Sequence, residues 1–280
     1  MAYQAPVKPP ALPRRVAPPP DLQPWVEMGV IVQASDGMAR FPALAESMLT
    51  VRFSGQVVDG PQALPAAAWL PASTLPRAFQ QQGEVVAVGL VLRPAAVPAV
   101  LQAGAGTLGS KAWAAEVLFG ARWCHVEDRL RAATTEAAQM QALFDFVRQC
   151  VAGPQHEARR VRLQAQLNAV RAGLEPARTA LGWSRRQLER SFRQQVGISP
   201  KQFQAVQRVK AVLHDALTGA PLGADLACRH GYFDQSHMAR DLRRYVGAPL
   251  GALLSPPDAQ AEEALWPLRV GTAAEVPWRR

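Results

Sequence analysis

Residues 231–247 read GYFDQSHMARDLRRYVG and combine three arginines with regularly spaced apolar side chains. At about 100° of rotation per residue, a helix over 234–246 separates its apolar residues from its polar ones. One side carries Met238, Leu242, Tyr245 and Val246, and the other carries Ser236, Arg240 and Arg243. Asp234 is a suitable N-cap, because its carboxylate can accept hydrogen bonds from the free N–H groups of the first turn. The stretch predicts a helix that packs on one face and presents cations on the other.

The same pattern occurs 50 residues earlier, in SRRQLERSFRQQVG at residues 184–197. With this offset Ser184 aligns with Asp234, and Gly197 aligns with Gly247. The apolar and cationic positions also coincide: Leu188 with Met238, Phe192 with Leu242, Val196 with Val246, Arg190 with Arg240, and Arg193 with Arg243. An N-cap, an apolar face, a cationic face and a terminating glycine all recur, which indicates an internal duplication.

Each copy follows a short helical segment and a sharp turn, ARTALGW before the first and ADLACRHGYF before the second. A helix, a turn and an amphipathic basic helix together make a helix-turn-helix unit. Between the copies, PKQFQAVQRVKAVLHDAL predicts a long connecting helix, with apolar residues at Phe203, Val206, Val209, Leu213 and Leu217. A rigid connector would let two recognition helices enter major-groove segments about 34 Å apart.

Positive charge is concentrated in one part of the 280-residue chain. Residues 156–256 contain 16 Lys and Arg against 7 Asp and Glu, whereas residues 1–155 contain 12 against 11. The net charge of +9 therefore arises in the C-terminal region. A basic region beside a nearly neutral one favours the binding of a polyanion such as DNA.

Residues 160–254 resemble the DNA-binding domain of the AraC/XylS family of transcriptional regulators. The motifs that carry the resemblance are ALGWSRRQLERSFRQQVGISPKQF and DLACRHGYFDQSHMARDLRRYVGAP. The chain departs from the family pattern at Pro176 and Arg178 in the first unit, and at Leu242, where the family usually has phenylalanine. The resemblance implies an all-α domain of two helix-turn-helix units joined by a long helix, with promoter DNA as its partner.

The resemblance also implies DNA-contact positions. Those that would read bases are Arg186, Glu189, Arg190, Gln235, Ser236, Ala239 and Arg240. The residue types suit this role, because arginine can bind guanine, glutamine adenine and glutamate cytosine, and alanine can contact a thymine methyl group. Phosphate contacts are expected from Arg185, Arg193, His237, Arg243 and Arg244. Such contacts provide affinity and register but little sequence information.

Residues 25–155 are expected to form a sensor or regulatory domain. The runs WVEMGVIVQA, SMLTVRFSGQVV and EVVAVGLVLRP predict β-strands, and from Ala95 to about Val151 the pattern becomes helical. Sensor domains of the resembled family are commonly cupin-like β-barrels followed by helices, so the expected fold class is α+β. A homodimer through this domain is also common in that family.

An effector pocket in this domain is expected at Trp25, Arg52, Trp69 and Arg93, where the arginines would bind an acidic small molecule. The alternative is that the tryptophans are core residues and the arginines lie on the surface. Metal catalysis is not expected, since residues 1–155 contain one histidine, His125. We therefore expect no cofactor and no enzymatic activity.

Composition divides the chain into four segments. Residues 1–24 contain eight prolines and predict a disordered tail, residues 25–155 and 156–255 are the two domains, and residues 256–280 are a C-terminal tail. The chain has no secretory signal and no apolar run of about 18 residues, so we expect a cytoplasmic, nucleoid-associated protein that does not bind membranes. Cys124, Cys150 and Cys228 are far apart and predict neither disulfides nor a zinc site.

The segment GAGTLG at residues 104–109 matches the nucleotide-binding pattern G-x-G-x-x-G. That pattern requires a buried strand immediately before it, whereas the preceding AAVPAVLQA is helical in character. We therefore interpret residues 104–109 as a glycine-rich connection between helices.

The leading hypothesis is a sequence-specific transcription regulator that reads two adjacent major-groove segments. The resemblance implies activation through contact with RNA polymerase, while repression by occlusion would use the same DNA contacts. A small-molecule effector would act through the N-terminal domain. Two alternatives stay open: a non-specific architectural DNA-binding protein, and a cupin-like enzyme fused to a DNA-binding domain.

Overall fold

A computed structural model describes residues 13–251, and the strands lie in the first half of this range. Their bounds are β1 (Arg14–Val16), β2 (Val26–Ala34), β3 (Gly37–Phe41), β4 (Ser47–Asp59), β5 (Gln62–Ala63), β6 (Ala67–Leu70), β7 (Arg77–Leu92) and β8 (Trp113–Ala114). Within the described range they form one antiparallel sheet of eight strands, in the order β1-β2-β7-β4-β6-β8, with β3 on β7 and β5 on β4. The three runs predicted to be strands, WVEMGVIVQA, SMLTVRFSGQVV and EVVAVGLVLRP, correspond to β2, β4 and β7.

The helices are α1 (Val97–Leu101), α2 (Ala115–Phe119), α3 (Ala121–Ala132), α4 (Glu136–Cys150), α5 (Pro154–Ala172), α6 (Leu174–Leu181), α7 (Arg185–Val196), α8 (Pro200–Leu217), α9 (Ala224–Arg229) and α10 (Gln235–Val246). The sheet precedes most of the helices, and the predicted α+β class is confirmed. No helix within residues 13–251 is both long enough and apolar enough to cross a membrane.

The N-terminal core lies between the sheet and the helices that follow it. Leu49 of β4 aligns with Leu90 of β7, and both are buried. They share one apolar cluster with Leu143 and Phe144 of α4. Helix α4, which lies in the region predicted to be helical, therefore covers the sheet.

Part of the predicted N-terminal tail belongs to this domain. Arg14–Val16 form β1 and pair with β2, with Arg15 opposite Val30. Leu22 is only 1% exposed and packs in the same core. The expected tail over residues 1–24 is therefore wrong for its described part, because two apolar anchors, Val16 and Leu22, outweigh the high proline content. Residues 1–12 and the predicted tail at 256–280 lie outside the described range.

The C-terminal core is built by helices α5 to α10. The connecting helix α8 contributes Phe203, Val206, Val209 and Leu213, all buried, while Leu217 is half-buried. Phe192 of α7 meets Phe203 edge to face, with ring centroids 5.2 Å apart. Leu242, at the position where the family usually has phenylalanine, is also buried. The predicted connector thus packs against both basic helices.

Candidate nucleic-acid interface

The two basic helices, α7 and α10, begin 50 residues apart, as the duplication predicts. Ser184 caps α7: its hydroxyl accepts from Gln187 N at 3.2 Å, and the Gln187 side chain accepts from Ser184 N at 2.8 Å. Asp234 caps α10 by accepting from His237 N at 2.6 Å. Each helix ends at a left-handed glycine, Gly197 or Gly247. Such glycines end helices at little steric cost.

The first unit's supporting helix, α6, is regular despite its departures from the family pattern. Pro176 lies in its first turn, where proline removes no intrahelical hydrogen bond. Arg178 pairs with Glu175 at 2.5 Å on the helix surface. The helix ends at Gly182, in the left-handed conformation, and α7 begins three residues later. A complete helix-turn-helix unit is therefore present.

On α7 the predicted DNA-contact residues lie together on the exposed face: Arg185, Arg186, Glu189, Arg190 and Arg193. Arg185 lies 3.8 Å from Glu189, an exposed pair that contributes little to stability. Leu188, Phe192 and Val196 are buried on the opposite face. The separation of apolar and cationic sides is as the sequence predicts.

On α10 the predicted base-reading residues Gln235, Ser236 and Arg240 are exposed, and Ala239 is half-buried. Arg240 Nε donates to the Ser236 carbonyl at 3.4 Å, which holds the guanidinium along the helix. The phosphate-contact residues Arg243 and Arg244 are exposed as well. His237 is half-buried, with its ring edge to face against Tyr232 at 5.1 Å.

Arg208 of α8 contacts Tyr232 and Asp241 of the second unit and so packs α8 against α10, a role that was not predicted from the sequence. Its guanidinium lies 4.6 Å from the Tyr232 ring centroid and 3.6 Å from the Asp241 carboxylate. Burial raises the pKa of the Tyr232 phenol and the Asp241 carboxylate raises it further, although Arg208 opposes both. Tyr232 is therefore a neutral packing residue. In the sequence, the one indication of this contact is that Arg208 lies away from the apolar face of α8.

An ion cluster, buried at Glu46 and half-buried at Glu27 and Lys210, joins the connecting helix to the N-terminal domain. Lys210 Nζ lies 2.7 Å from Glu27 Oε1 and 2.7 Å from Glu46 Oε1. Burial alone would raise the pKa of Glu46, but the Lys210 ammonium lowers it below its ordinary value. Burial would lower the pKa of Lys210, and the two carboxylates outweigh it and raise the pKa. Glu46 and Lys210 are therefore both charged at neutral pH.

The N-terminal domain also contacts the C-terminal end of each basic helix. Ala43 N donates to the Tyr245 carbonyl of α10 at 2.6 Å. At α7, the segment 104–109, here called the docking loop, approaches so closely that a Cβ on Gly104 would overlap the Gln194 carbonyl oxygen. A Cβ on Gly106 would lie 2.7 Å from the Arg193 carbonyl oxygen. The docking loop follows α1, contains a 3-10 turn at Ala105–Thr107 and is followed by β8 and then α2. Its glycines permit this approach of backbone to backbone.

The residues expected to line an effector pocket have different surroundings. Trp25 and Trp69 are buried in the N-terminal core. Arg52 lines an apolar cavity of about 100 Å³ inside the sheet, and its Nη2 donates to the Leu64 carbonyl at 3.1 Å. Arg93 lines a polar cleft of about 750 Å³ between the domains, beside Lys210. Arg52 and Arg93 therefore line separate cavities.

The structure offers few groups for catalysis or metal binding. Among residues 13–251, no three His, Cys, Asp or Glu side chains gather in a way that could hold a metal ion. Burial raises the pKa of the Cys150 thiol to about 11, with Arg122 opposing the rise, so this cysteine is a poor nucleophile at neutral pH. Cys124, Cys228 and His125 are exposed.

Comparisons with known proteins bear mainly on the C-terminal region. Residues 177–255 match the family described as "Helix-turn-helix domain". A search of curated proteins found no match. The 1.65 Å structure of ToxT from Vibrio cholerae is similar with a TM-score of 0.42 and 10% identity, over 79% of this chain and 95% of that chain. ToxT from Vibrio cholerae O395 bound to (E)-4-(8-methylnaphthalen-1-yl)but-3-enoic acid gives a TM-score of 0.43 and 11% identity, over 84% and 97%.

Both TM-scores are below 0.5, which is too low to carry a comparison of sites or ligands. The family match covers α7 to α10 with their caps and the connecting helix. It agrees with the resemblance found in the motifs of both units. Residues 177–255 therefore form a helix-turn-helix domain of the AraC type, the DNA-binding domain of a transcription regulator.

Proposed function

We propose that this chain is a sequence-specific transcription regulator that reads two adjacent major-groove segments with α7 and α10. One observation carries the proposal: the same exposed cationic face occurs on both helices in the same register. Within residues 13–251, the side chains of Arg186, Arg190, Arg193 and Arg243 make no hydrogen bond or ion pair. Exposed and unpaired guanidinium groups on a rigid helix suit the edges of guanine and the phosphate backbone.

The assignment of each residue as a base reader or a phosphate contact follows its position along the helix. Recognition helices contact base edges mainly through their N-terminal residues. Arg186, Glu189 and Arg190 on α7, and Gln235, Ser236, Ala239 and Arg240 on α10, are therefore the proposed base readers. Arg185, Arg193, His237, Arg243 and Arg244 are the proposed phosphate contacts. An architectural DNA-binding protein would need only the phosphate contacts. The proposed function includes no catalytic step.

We include modulation by the N-terminal domain in the proposal, because that domain contacts the DNA-binding helices directly. Its contacts are at the C-terminal ends of α7 and α10, so the base-reading turns stay exposed. Docking therefore orders the recognition helices without covering them, which lowers the entropic cost of binding DNA. A homodimer, RNA polymerase contact and activation rather than repression are further proposals that rest on the family resemblance. An acidic effector is a further proposal that rests on Arg52 and Arg93, each of which lines a cavity.

The test is a selection of genomic DNA fragments with the purified full-length chain, followed by binding titrations at two salt concentrations. A specific regulator is expected to enrich one motif with two short blocks about one helical turn apart. Strong, salt-sensitive binding without a motif would favour the architectural alternative. The selected duplex then serves as the probe for every variant below.

Arg240→Ala is expected to change the sequence preference of DNA binding, whereas Arg243→Ala is expected to change only its overall affinity and salt dependence. Arg240→Ala should cost about 1–3 kcal/mol on the selected duplex and relax the preference at one base pair. Arg243→Ala should weaken binding to selected and random duplexes alike and reduce the slope of log Kd against log salt by about 1. The measurement is a titration of both duplexes at several salt concentrations. Equal losses for both variants on both duplexes would contradict the assignment of readers and phosphate contacts.

A further inference from the structure

Phe233 is the residue that the packing of the C-terminal domain leaves unexplained. Its side chain is 94% exposed, whereas Tyr232 beside it is 4% exposed and belongs to the core. Single exposed apolar residues are common on protein surfaces, so exposure alone assigns no role. The position of Phe233 is more informative, because it immediately precedes Asp234, the N-cap of α10.

The duplication supplies an internal comparison for this position. With the offset of 50 residues, Trp183 is the counterpart of Phe233 in the first unit. Trp183 is half-buried and packs against the C-terminal core. Both units therefore place an aromatic ring just before the recognition helix, but only the ring of the second unit is left in solvent.

The surroundings of Phe233 are those of the proposed DNA-contact surface. A shallow concavity of about 360 Å³ is lined by Phe233, Asp234, His237, Arg240, Asp241 and Arg244. Arg240 is a proposed base reader, and His237 and Arg244 are proposed phosphate contacts. Two arginines and two aspartates line the concavity, and the Phe233 ring is its apolar part. The ring lies at the N-terminal end of α10, where recognition helices contact base edges.

We propose that Phe233 contacts the C5-methyl group of a thymine in the major groove, next to the base pair that Arg240 reads. The inference rests on the proposed function and names one further determinant of its specificity. The thymine methyl is the apolar group that a base pair displays in the major groove, and a phenylalanine ring is one of its ordinary partners. Contact removes both apolar surfaces from water, so thymine is favoured there over cytosine.

The experiment replaces each thymine of the second half-site, one at a time, by deoxyuridine, which lacks only the methyl group. The probe is the duplex selected by the full-length chain, and Kd is measured for the wild type, Phe233→Ala and Phe233→Leu. At one position the wild type is expected to lose about fourfold in affinity, and Phe233→Ala is expected to lose none. Phe233→Leu keeps an apolar side chain and should retain part of the loss. The slope of log Kd against log salt should be the same for the wild type and both variants, since neither substitution changes a charge.

Leu222→Ala is the matched control, because Leu222 is an exposed apolar residue of the same domain, between α8 and α9. It is expected to respond to every deoxyuridine as the wild type does. A second half-site without thymine, or one at which the wild type and Phe233→Ala respond equally to each deoxyuridine, overturns the Phe233 contact alone. A chain that selects no motif overturns the proposed function, and the Phe233 contact with it.

Discussion

Lys210→Met is expected to lower the free energy of unfolding by about 2–4 kcal/mol. The substitution keeps the apolar stem of the side chain and removes the ammonium that faces Glu27 and Glu46. Glu46 is only 2% exposed, so its carboxylate would be left buried without a cation. Breaking a buried ion pair in this way costs about 3–5 kcal/mol, and the 29% exposure of Lys210 reduces that figure. Urea denaturation at pH 7 measures the loss.

The loss is expected to shrink as the pH falls. In the wild type the pKa of Glu46 lies below its ordinary value, so the pair contributes fully above that value and its contribution disappears on acidification. In Lys210→Met burial has no opposing cation and raises the pKa of Glu46, which makes the folded variant favour the protonated carboxyl. Once the pH falls below the lowered pKa of Glu46 in the wild type, both proteins carry a neutral Glu46, and the difference between them closes.

Lys201→Met is the control for this prediction, because Lys201 is an exposed lysine on the same helix, α8. It should change the free energy of unfolding by less than about 0.5 kcal/mol. Adding Glu46→Gln to Lys210→Met should restore part of the loss, since the uncompensated charge is then gone. A Lys210→Met loss that is small, or that does not depend on pH, would show that the cluster does not hold the domains together.

The helical half of the fold could be predicted from the sequence because its signals are local. The caps Ser184 and Asp234, the terminating glycines and the apolar spacing lie within single helices, and the duplication doubled each signal. The family match to residues 177–255 confirms that interpretation. The three long strands were predictable for the same reason, because each is a short apolar run in the sequence. The assignment of base readers and phosphate contacts stays a prediction.

The docking of the two domains could not be predicted in this way. Lys210 meets Glu46 across 164 residues, and neither residue belongs to a periodic pattern. In the sequence, the glycines of the docking loop match the nucleotide-binding pattern G-x-G-x-x-G and do not indicate a contact with α7. Their actual neighbour is the backbone of α7, about 90 residues away in the sequence, and such a contact has no local signature. The same holds for Val16 and Leu22, which fold against the sheet from a proline-rich segment.

Both basic helices are thus held at their C-terminal ends, away from the N-terminal turns that carry the proposed base readers. The docking loop lies against α7, Ala43 binds the last turn of α10, and Lys210 fixes the helix between them. A change in the N-terminal domain that moves any of these contacts would alter how the two helices are held relative to each other. If both helices enter one duplex, as proposed, their relative placement must match two major-groove segments about one helical turn apart.

Gly104→Ala tests this coupling directly. Gly104 has φ −79° and ψ 146°, a conformation that alanine adopts without strain, so the whole effect comes from contact with α7. The added Cβ would overlap the Gln194 carbonyl oxygen, and the docking loop must move away from the helix. Overpacking of this kind costs about 1–3 kcal/mol. We expect a lower free energy of unfolding, faster amide hydrogen exchange in the last turn of α7, and weaker binding to the selected duplex.

The control is Gly251→Ala, since among residues 13–251 a Cβ there meets no atom within 4 Å and the position lies outside both docking contacts. It should leave stability, exchange and DNA affinity close to those of the wild type. Unchanged hydrogen exchange in α7 of Gly104→Ala would show that the docking loop does not hold the helix. Faster exchange with unchanged or tighter DNA binding would contradict the ordering role instead, because a domain that restrained α7 in an unfavourable position would increase affinity when released.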